Sequence, residues 1–458
     1  MDDQRHIVGD PSWAGQTSVH PLGLAMVVVL GLCLLWLPRR WSVVPMLIIA
    51  CFIPSAQRIV IAGCDFSFLR IMVLFGTMRL ILHKEYQGFI WQPLDTAMIL
   101  YTLTYMGLYI LRENSFSAVI NRLGFGFDAF GMYFLFRCLV RHWQDVDRII
   151  FGIVIISIPV AFFFVMEQAT GRNAFSIFGG KSLFSSVRDG RIRASGAYSH
   201  AILAGCFWAA LMPLIAAFWW KSSKDRSKAI IGLLTSLFIV AACASSTPVM
   251  GVISAVVGGL FFFFRKRMRP IRWGILFMLI GLHLMMQAPV WHLISRVSAV
   301  SGSTSYHRYK LLNAAINNVS EWWLMGCSGY TVLGWGVHAA DITNQYVLVG
   351  VQGGLLTLAL FITVITLAFH SIGKLWRQNT DNTYRLALSW ALGVSLFVHC
   401  TNFLGVSYFG QITILWYLLL AMIASLTATS SQIPIRRSKW TSKQTAVILP
   451  SKVSTKSQ

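Results

Sequence analysis

Apolar residues in this chain come in long, nearly unbroken runs rather than in alternation or on one helical face. The runs fall at approximately 21–37, 43–63, 66–82, 93–111, 119–140, 148–166, 198–220, 229–247, 248–264, 271–288, 345–370, 385–402 and 411–430. A helix needs about 20 apolar residues to cross a bilayer, and these runs have that length; barrel strands need about half of it. Two runs are irregular. Arg70 and Arg79 interrupt 66–82, and the stretch around Pro248 is too long for one crossing, so Ser245-Ser246-Thr247-Pro248 is read as a break between two helices. The predicted fold class is all-α: a polytopic integral membrane protein of about 12–13 transmembrane helices whose outer loops carry short amphipathic helices. An N-terminal tail (1–20) precedes a single polytopic unit (21–430), and a basic tail (431–458), expected to be disordered, follows it. No internal repeat and no soluble domain-length insertion is visible.

Composition supports the span reading. Of 458 residues, 56% are hydrophobic and 12% charged, against roughly a quarter charged in soluble proteins. The formal charge of +22 raises the question of nucleic acid. Its distribution argues against that partner, because Lys and Arg concentrate in short loops and in the C-terminal tail, where they favour anionic lipid headgroups. Placing the tail residues Arg436, Arg437, Lys439, Lys443, Lys452 and Lys456 inside makes 371–384, 265–270, 221–228, 141–147, 83–92 and 38–42 inside loops, nearly all basic. The N-terminal tail, with Asp2, Asp3 and Asp10 against Arg5, then falls outside, and its charge is wrong for a signal peptide. The eight cysteines form no CxxC and no Cys/His cluster, so neither disulfides nor a metal site is expected.

Two sizeable segments remain outside, 167–199 and 289–344. The first is basic on the side that orientation rules keep poor in Lys and Arg. It carries Arg172, Lys181, Arg188, Arg191 and Arg193 against Glu167 and Asp189. Such a cluster at a helix N-terminus suits a phosphate or diphosphate; the plainer reading is long side chains reaching lipid headgroups. The second segment predicts a surface helix over 303–321 with the stripe Leu311, Leu312, Ala315, Ile316 and Val319, and with Arg308 in its first turn. Trp322 and Trp323 follow as interfacial anchors or sugar-stacking rings. A glycine-rich stretch expected to be flexible then leads to His338, Asp341 and Asn344 at the next span.

At these residues the chain resembles the superfamily of O-antigen polymerases and O-antigen ligases. Arg193-Ala-Ser-Gly196 with Tyr198 and His200 is similar to that family's Arg and Gly before a membrane helix. Arg308-Tyr-Lys-Leu-Leu312 fits its Arg-x3-Leu element. Gly326-Cys-Ser-Gly329, Asn344 and Gly354-Leu-Leu-Thr357 fit its Gly-rich turn and its Asn-x9-Gly ending. Ligases place His before that Asn; here Thr343 stands there, and Asp341-Ile-Thr-Asn344-Gln-Tyr346 with His338 upstream resembles the exopolysaccharide-polymerase variant more than the ligase form.

The resemblance implies glycosyl transfer at the periplasmic face of a bacterial inner membrane, with the C-terminus cytoplasmic. Two undecaprenyl-diphosphate-linked oligosaccharides would be joined, with lipid diphosphate as leaving group. Arg188, Arg191, Arg193 and Arg308 are the expected diphosphate ligands, Tyr198, His200, Asn344 and Trp322 further substrate contacts, and Asp341 or His338 the candidate base. No cofactor or metal is expected. Lipid-linked oligosaccharides and membrane lipids are the expected partners, with a flippase and a chain-length regulator alongside. A ligase and a flippase remain the alternatives, and Asp341 has a plainer role open to it as a cap of the helix starting near Asn344.

Overall fold

The computed structural model describes residues 17–61, 63–296, 305–336, 339 and 341–432. Helices dominate, and every predicted run carries one: α1 (Pro21–Trp36), α2 (Val43–Phe52), α3 (Phe68–Leu82), α4 (Pro93–Glu113), α5 (Phe116–Leu139), α6 (Trp143–Thr170), α7 (Ala201–Ala217), α8 (Ser223–Ala242), α9 (Ser246–Leu260) and α10 (Met268–Met285). Four short helices follow, α11 (Leu293–Arg296), α12 (Ser305–Asn317), α13 (Val319–Trp322) and α14 (Gly329–Gly334). Then come α15 (Gln345–Gln378), α16 (Thr383–Asn402) and α17 (Ile412–Gln432). Six helical stretches are long and apolar enough to cross a bilayer: Pro93–Glu113, Trp143–Thr170, Ala201–Trp220, Ser246–Met285, Gln345–Gln378 and Ile412–Ser430. The protein is therefore an all-α bundle with the span pattern of a multi-pass membrane protein.

One predicted span is corrected. The run 43–63 is helical only to Phe52, because Pro54 forces the residue before it, Ile53, into extended backbone (φ −107°, ψ 126°). The chain then forms an antiparallel hairpin of β1 (Arg58–Ile61) and β2 (Cys64–Ser67), with Ile61 opposite Cys64. Arg70 and Arg79, which interrupt the next run, do not break it. Arg70 is held by Asp128 at 2.7 and 2.8 Å, and Arg79 is held by Glu85 at 2.8 Å.

The burial pattern orders the bundle. In the apolar stretches of α17 and α7, 89% and 83% of residues are buried, against 28% for Ser246–Met285. So α7 and α17 form the centre, with α7 packed on α8, α9 and α16, and α17 on α5 and α15. The α9–α10 stretch is peripheral, and none of α10 is buried.

A second hairpin, β3 (Ser186–Arg188) with β4 (Arg191–Arg193), lies in the first long loop. Gln57, beside β1, ties the two hairpin regions into one end of the bundle, accepting from the His20 N–H at 2.9 Å and donating to the Phe178 carbonyl at 2.5 Å. At the opposite end buried arginines are neutralised. Arg137 grips Asp95 through two hydrogen bonds of 2.8 Å, and Tyr133 donates to the same carboxylate at 2.6 Å. Arg79 also donates to the carbonyls of Leu34 and Leu37 at 2.6 Å, closing the last turn of α1.

Candidate functional site

The β3–β4 hairpin explains why the arginines are spaced as they are. Asp189 and Gly190 both adopt positive φ (50° and 72°), the geometry that a two-residue hairpin turn requires and that Asp-Gly favours. The turn sets the register: Arg188 opposite Arg191, Val187 opposite Ile192 and Ser186 opposite Arg193. Directly opposed residues share a face, as do residues two apart on a strand. Arg188, Arg191 and Arg193 therefore all project from one face, and Val187 and Ile192 from the other. The Asp-Gly signal was in the sequence; the shared face follows only once the register is known.

The end of α6 clamps the segment that follows β4. Glu167 is buried, and its carboxylate accepts from the N–H groups of Ser195 and Gly196 at 3.0 Å, from Ser185 Oγ at 2.7 Å and from Asn173 Nδ2 at 3.2 Å. Gln168 donates to the carbonyls of Ile192 and Ala242 at 3.0 and 2.6 Å. Gly196 has φ +53°, and a Cβ there would come within 2.5 Å of the Phe164 ring, so this turn closes only with glycine. Glu167 is a positioning residue that the sequence reading took merely as counter-charge. Four hydrogen bonds tie its carboxylate to this loop, and among the described residues it forms no salt bridge with Arg193 or Arg308.

The Ala194 N–H donates to the Ala242 carbonyl at 3.1 Å, which sets Arg193 beside the α8–α9 turn. Arg308, from α12, reaches the same turn from the other side. Its Nη2 donates to Thr247 Oγ1 at 2.8 Å, and its Nη1 lies 3.5 Å from Ser246 Oγ. The polar break before Pro248 is thus the floor of the site, at the N-terminus of α9. The sequence reading placed the anion at the start of α7, but seven residues held by Glu167 and Asn173 separate Arg193 from Ala201. Ala244 in the turn has φ +43°, a conformation that L residues rarely adopt.

Arg308 is only 9% exposed, and among the described residues neither it nor Arg193 forms a salt bridge. The Nε atoms of both are buried without a hydrogen-bond partner. Burial pushes both guanidinium pKa values down, and Arg188 pushes each of them further down. Arg188 projects from the same hairpin face as Arg193, and with Arg308 at the same turn these like charges gather near a helix N-terminus, where positive charge is already unfavourable. An anion with several acceptor oxygens would satisfy the open donors and offset the repulsion.

The other expected site residues divide. Tyr198 is fully buried, its hydroxyl 3.6 Å from Cys51 Sγ; it is a core residue and offers no substrate contact. Trp322 is likewise corrected, since it packs beneath Gly350 and donates to the Ala315 carbonyl at 2.8 Å. Its neighbour Trp323 is the exposed ring. Asn344 is the N-cap of α15, accepting from the N–H groups of Tyr346 and Val347 at 3.0 and 3.1 Å, which takes from Asp341 the capping role considered for it. Asp341 is exposed on the approach to α15. His200 is exposed at the N-cap position of α7, with its ring edge-on to Phe409. His338 lies outside the described residues.

The glycine-rich stretch is not a loose connection. α15 is interrupted at Gly354 (φ 74°, ψ 177°), and the chain around Gly326 docks against the interruption. Cys327 N–H donates to the Val351 carbonyl, and Leu355 N–H to the Trp323 carbonyl, both at 2.8 Å. A Cβ on Gly326 would meet the Val351 oxygen at 2.3 Å, and one on Gly354 would meet the Leu324 oxygen at 2.3 Å. Both glycines permit backbone to approach backbone. A helix broken in its interior needs such partners for its freed backbone groups.

Among the described residues no three His, Cys, Asp or Glu side chains gather into a set that could hold a metal ion. No protein-family model and no curated protein matches the chain.

Proposed function

We propose that the protein is a membrane glycosyltransferase that polymerises lipid-diphosphate-linked oligosaccharides, in the manner of the polymerase superfamily that its motifs resemble. The observation that carries this reading is the meeting of Arg193 and Arg308 at the α8–α9 turn, each with its Nε buried and without a hydrogen-bond partner and neither, among the described residues, with a carboxylate. Headgroup snorkelling accounts for exposed arginines such as Arg191, but it does not account for a guanidinium buried against Thr247. In this reading the hairpin end faces outward, and the basic loops of the opposite end face the cytoplasm.

The donor's diphosphate sits between the β3–β4 face and Arg308. A hydroxyl oxygen of the acceptor sugar attacks the donor's anomeric carbon. The bond from that carbon to the diphosphate oxygen breaks, and its electron pair leaves with the diphosphate. Negative charge on the diphosphate rises along this path, so preorganised guanidinium groups stabilise the transition state more than the ground state. The hydroxyl proton goes to a base, for which Asp341 is the exposed carboxylate on the approach to α15. Tethering both substrates in one bilayer supplies part of the rate.

Deleting the gene and analysing the remaining glycan tests the reading. Single lipid-linked repeats should persist on the outer side while long polymer disappears. Full-length polymer left on its lipid would replace this reading with a ligase, and repeats trapped on the cytoplasmic side would replace it with a flippase.

A further inference from the structure

The short loop between α16 and α17 (403–411) touches all three segments that meet at the site. Near its start, Gly405 is buried against Thr247, the residue that holds Arg308; a Cβ on Gly405 would come within 2.8 Å of Thr247 Cγ2 and Oγ1. At its end, buried Gln411 donates from Nε2 to the Ala197 carbonyl at 2.6 Å, next to the Gly196 turn that follows Arg193. In between, the loop and Gln345, the first residue of α15, exchange two hydrogen bonds. The Gln345 N–H donates to the Phe403 carbonyl at 2.9 Å, and the Tyr408 N–H donates to Gln345 Oε1 at 2.7 Å. That Gln345 N–H is one of the orphan donors that open every helix, and the loop supplies its acceptor. α16 stiffens the loop in turn. His399 Nδ1 and the Tyr408 hydroxyl lie 2.8 Å apart, and the Asn402 carbonyl accepts from the N–H groups of Gly405 and Val406 at 2.9 and 3.0 Å.

We infer that this loop is the strut that fixes the base-bearing approach to α15 relative to the arginine site, and that Gln345 is its positioning residue. The inference rests on the proposed function, since it takes Asp341 as the base and the arginines as the diphosphate ligands. Asp341 stands four residues before Gln345, so the place where α15 begins sets where that carboxylate reaches. A base works only within hydrogen-bond reach of the hydroxyl it serves, and a displacement of about 1 Å costs on the order of a hundredfold in rate. The donor end is set by the same loop through a different contact. Thr247 is stiff about χ1 and holds Arg308 through its hydroxyl, and the missing side chain at Gly405 lets the loop close on it without turning it. Gly405 therefore acts on diphosphate binding, and Gln345 acts on delivery of the base.

The test separates turnover from binding in full-length protein held in nanodiscs. Lipid-linked repeats accumulated by the deletion strain serve as substrate, and binding of undecaprenyl diphosphate is measured in parallel. Gln345→Met removes the acceptor of the Tyr408 N–H; kcat should fall on the order of tenfold or more, with undecaprenyl diphosphate binding unchanged. Gln345→Glu keeps an acceptor oxygen at the same place and should restore most of kcat. Gly405→Ala pushes on Thr247 and should weaken undecaprenyl diphosphate binding on the order of tenfold, the quantity that Gln345→Met leaves alone. Wild-type kcat in Gln345→Met overturns the positioning role. So does a loss that Glu does not rescue, because the loss is then not of that bond, and so does an equal loss of diphosphate binding, which would make Gln345 a general structural residue. If melting curves show that Gln345→Met does not fold, Gly405→Ala decides: undiminished diphosphate binding there overturns the strut. A wild type that binds undecaprenyl diphosphate yet joins no repeats overturns the proposed function, and the strut's role with it, before any variant is made.

Discussion

Arg137 and Arg308 are both buried arginines of one helical bundle, yet their surroundings are opposite. Arg137 has Asp95 in a two-bond grip, with Tyr133 and Ser425 completing the network. Arg308 has two hydroxyl groups, an open Nε and another arginine near it. A buried charge left unpaired costs several kcal/mol, whereas a paired one roughly breaks even. The hairpin end is able to pair arginines, as Arg70 with Asp128 shows. Among the described residues the lack of a carboxylate partner at Arg193 and Arg308 is thus local to those side chains. At Arg137 the fold supplies its own counter-charge; at Arg308, under the proposed function, an anionic substrate would supply it.

The largest effect expected of this contrast is on stability at the paired end. Asp95→Ala strands Arg137 and should cost about 3–5 kcal/mol, read as a loss of folded protein, while the folded fraction keeps its transfer rate. Next comes Arg308→Ala, which should lower transfer at least about a hundredfold with an unchanged or raised melting temperature; a Lys substitution should rescue poorly, since it offers a point charge in place of a planar fork. A marked fall in stability would make Arg308 a structural residue like Arg137. Thr247→Asp sharpens the comparison by giving Arg308 the partner that Arg137 has. The melting temperature should rise and transfer should be lost. Activity retained in that variant would mean that no anion uses the site.

The helices were legible because each apolar run is a local property of composition, and even the run holding Arg70 and Arg79 proved helical. What failed depends on long-range placement. Trp322 and Trp323 are indistinguishable in sequence, and only packing under Gly350 decides which is buried. Tyr198 sits in a motif, yet its neighbour in space is Cys51, 147 residues away in sequence. Gly326 and Gly354 were read as separate elements, and their contact is a meeting of backbones that no local pattern announces. The arginines were legible by charge on an unfavoured side. Their common floor at Thr247 was not, because it joins three separated segments.

The smallest effect belongs to Lys181, a cation of the hairpin end whose partners are carbonyl groups. Its Nζ donates to the carbonyl of Tyr198 and, at 3.4 Å, to that of Ser199. Burial pulls its pKa down to about 8 from an ordinary 10.5, with the Glu167 carboxylate opposing the shift. Between those values the unfolded chain holds a proton that the folded chain has released. Stability should therefore rise with pH across that window and be flat below it. The gain should be on the order of 1 kcal/mol after allowance for screening at a partly exposed site. Thermal melts of wild type and Lys181→Met at pH values across the window measure it, and the variant should lack the rise. A wild type that instead loses stability over this range would show Lys181 held charged by Glu167. That carboxylate would then be acting as a counter-ion at the hairpin end, and the contrast with Arg137 would weaken accordingly.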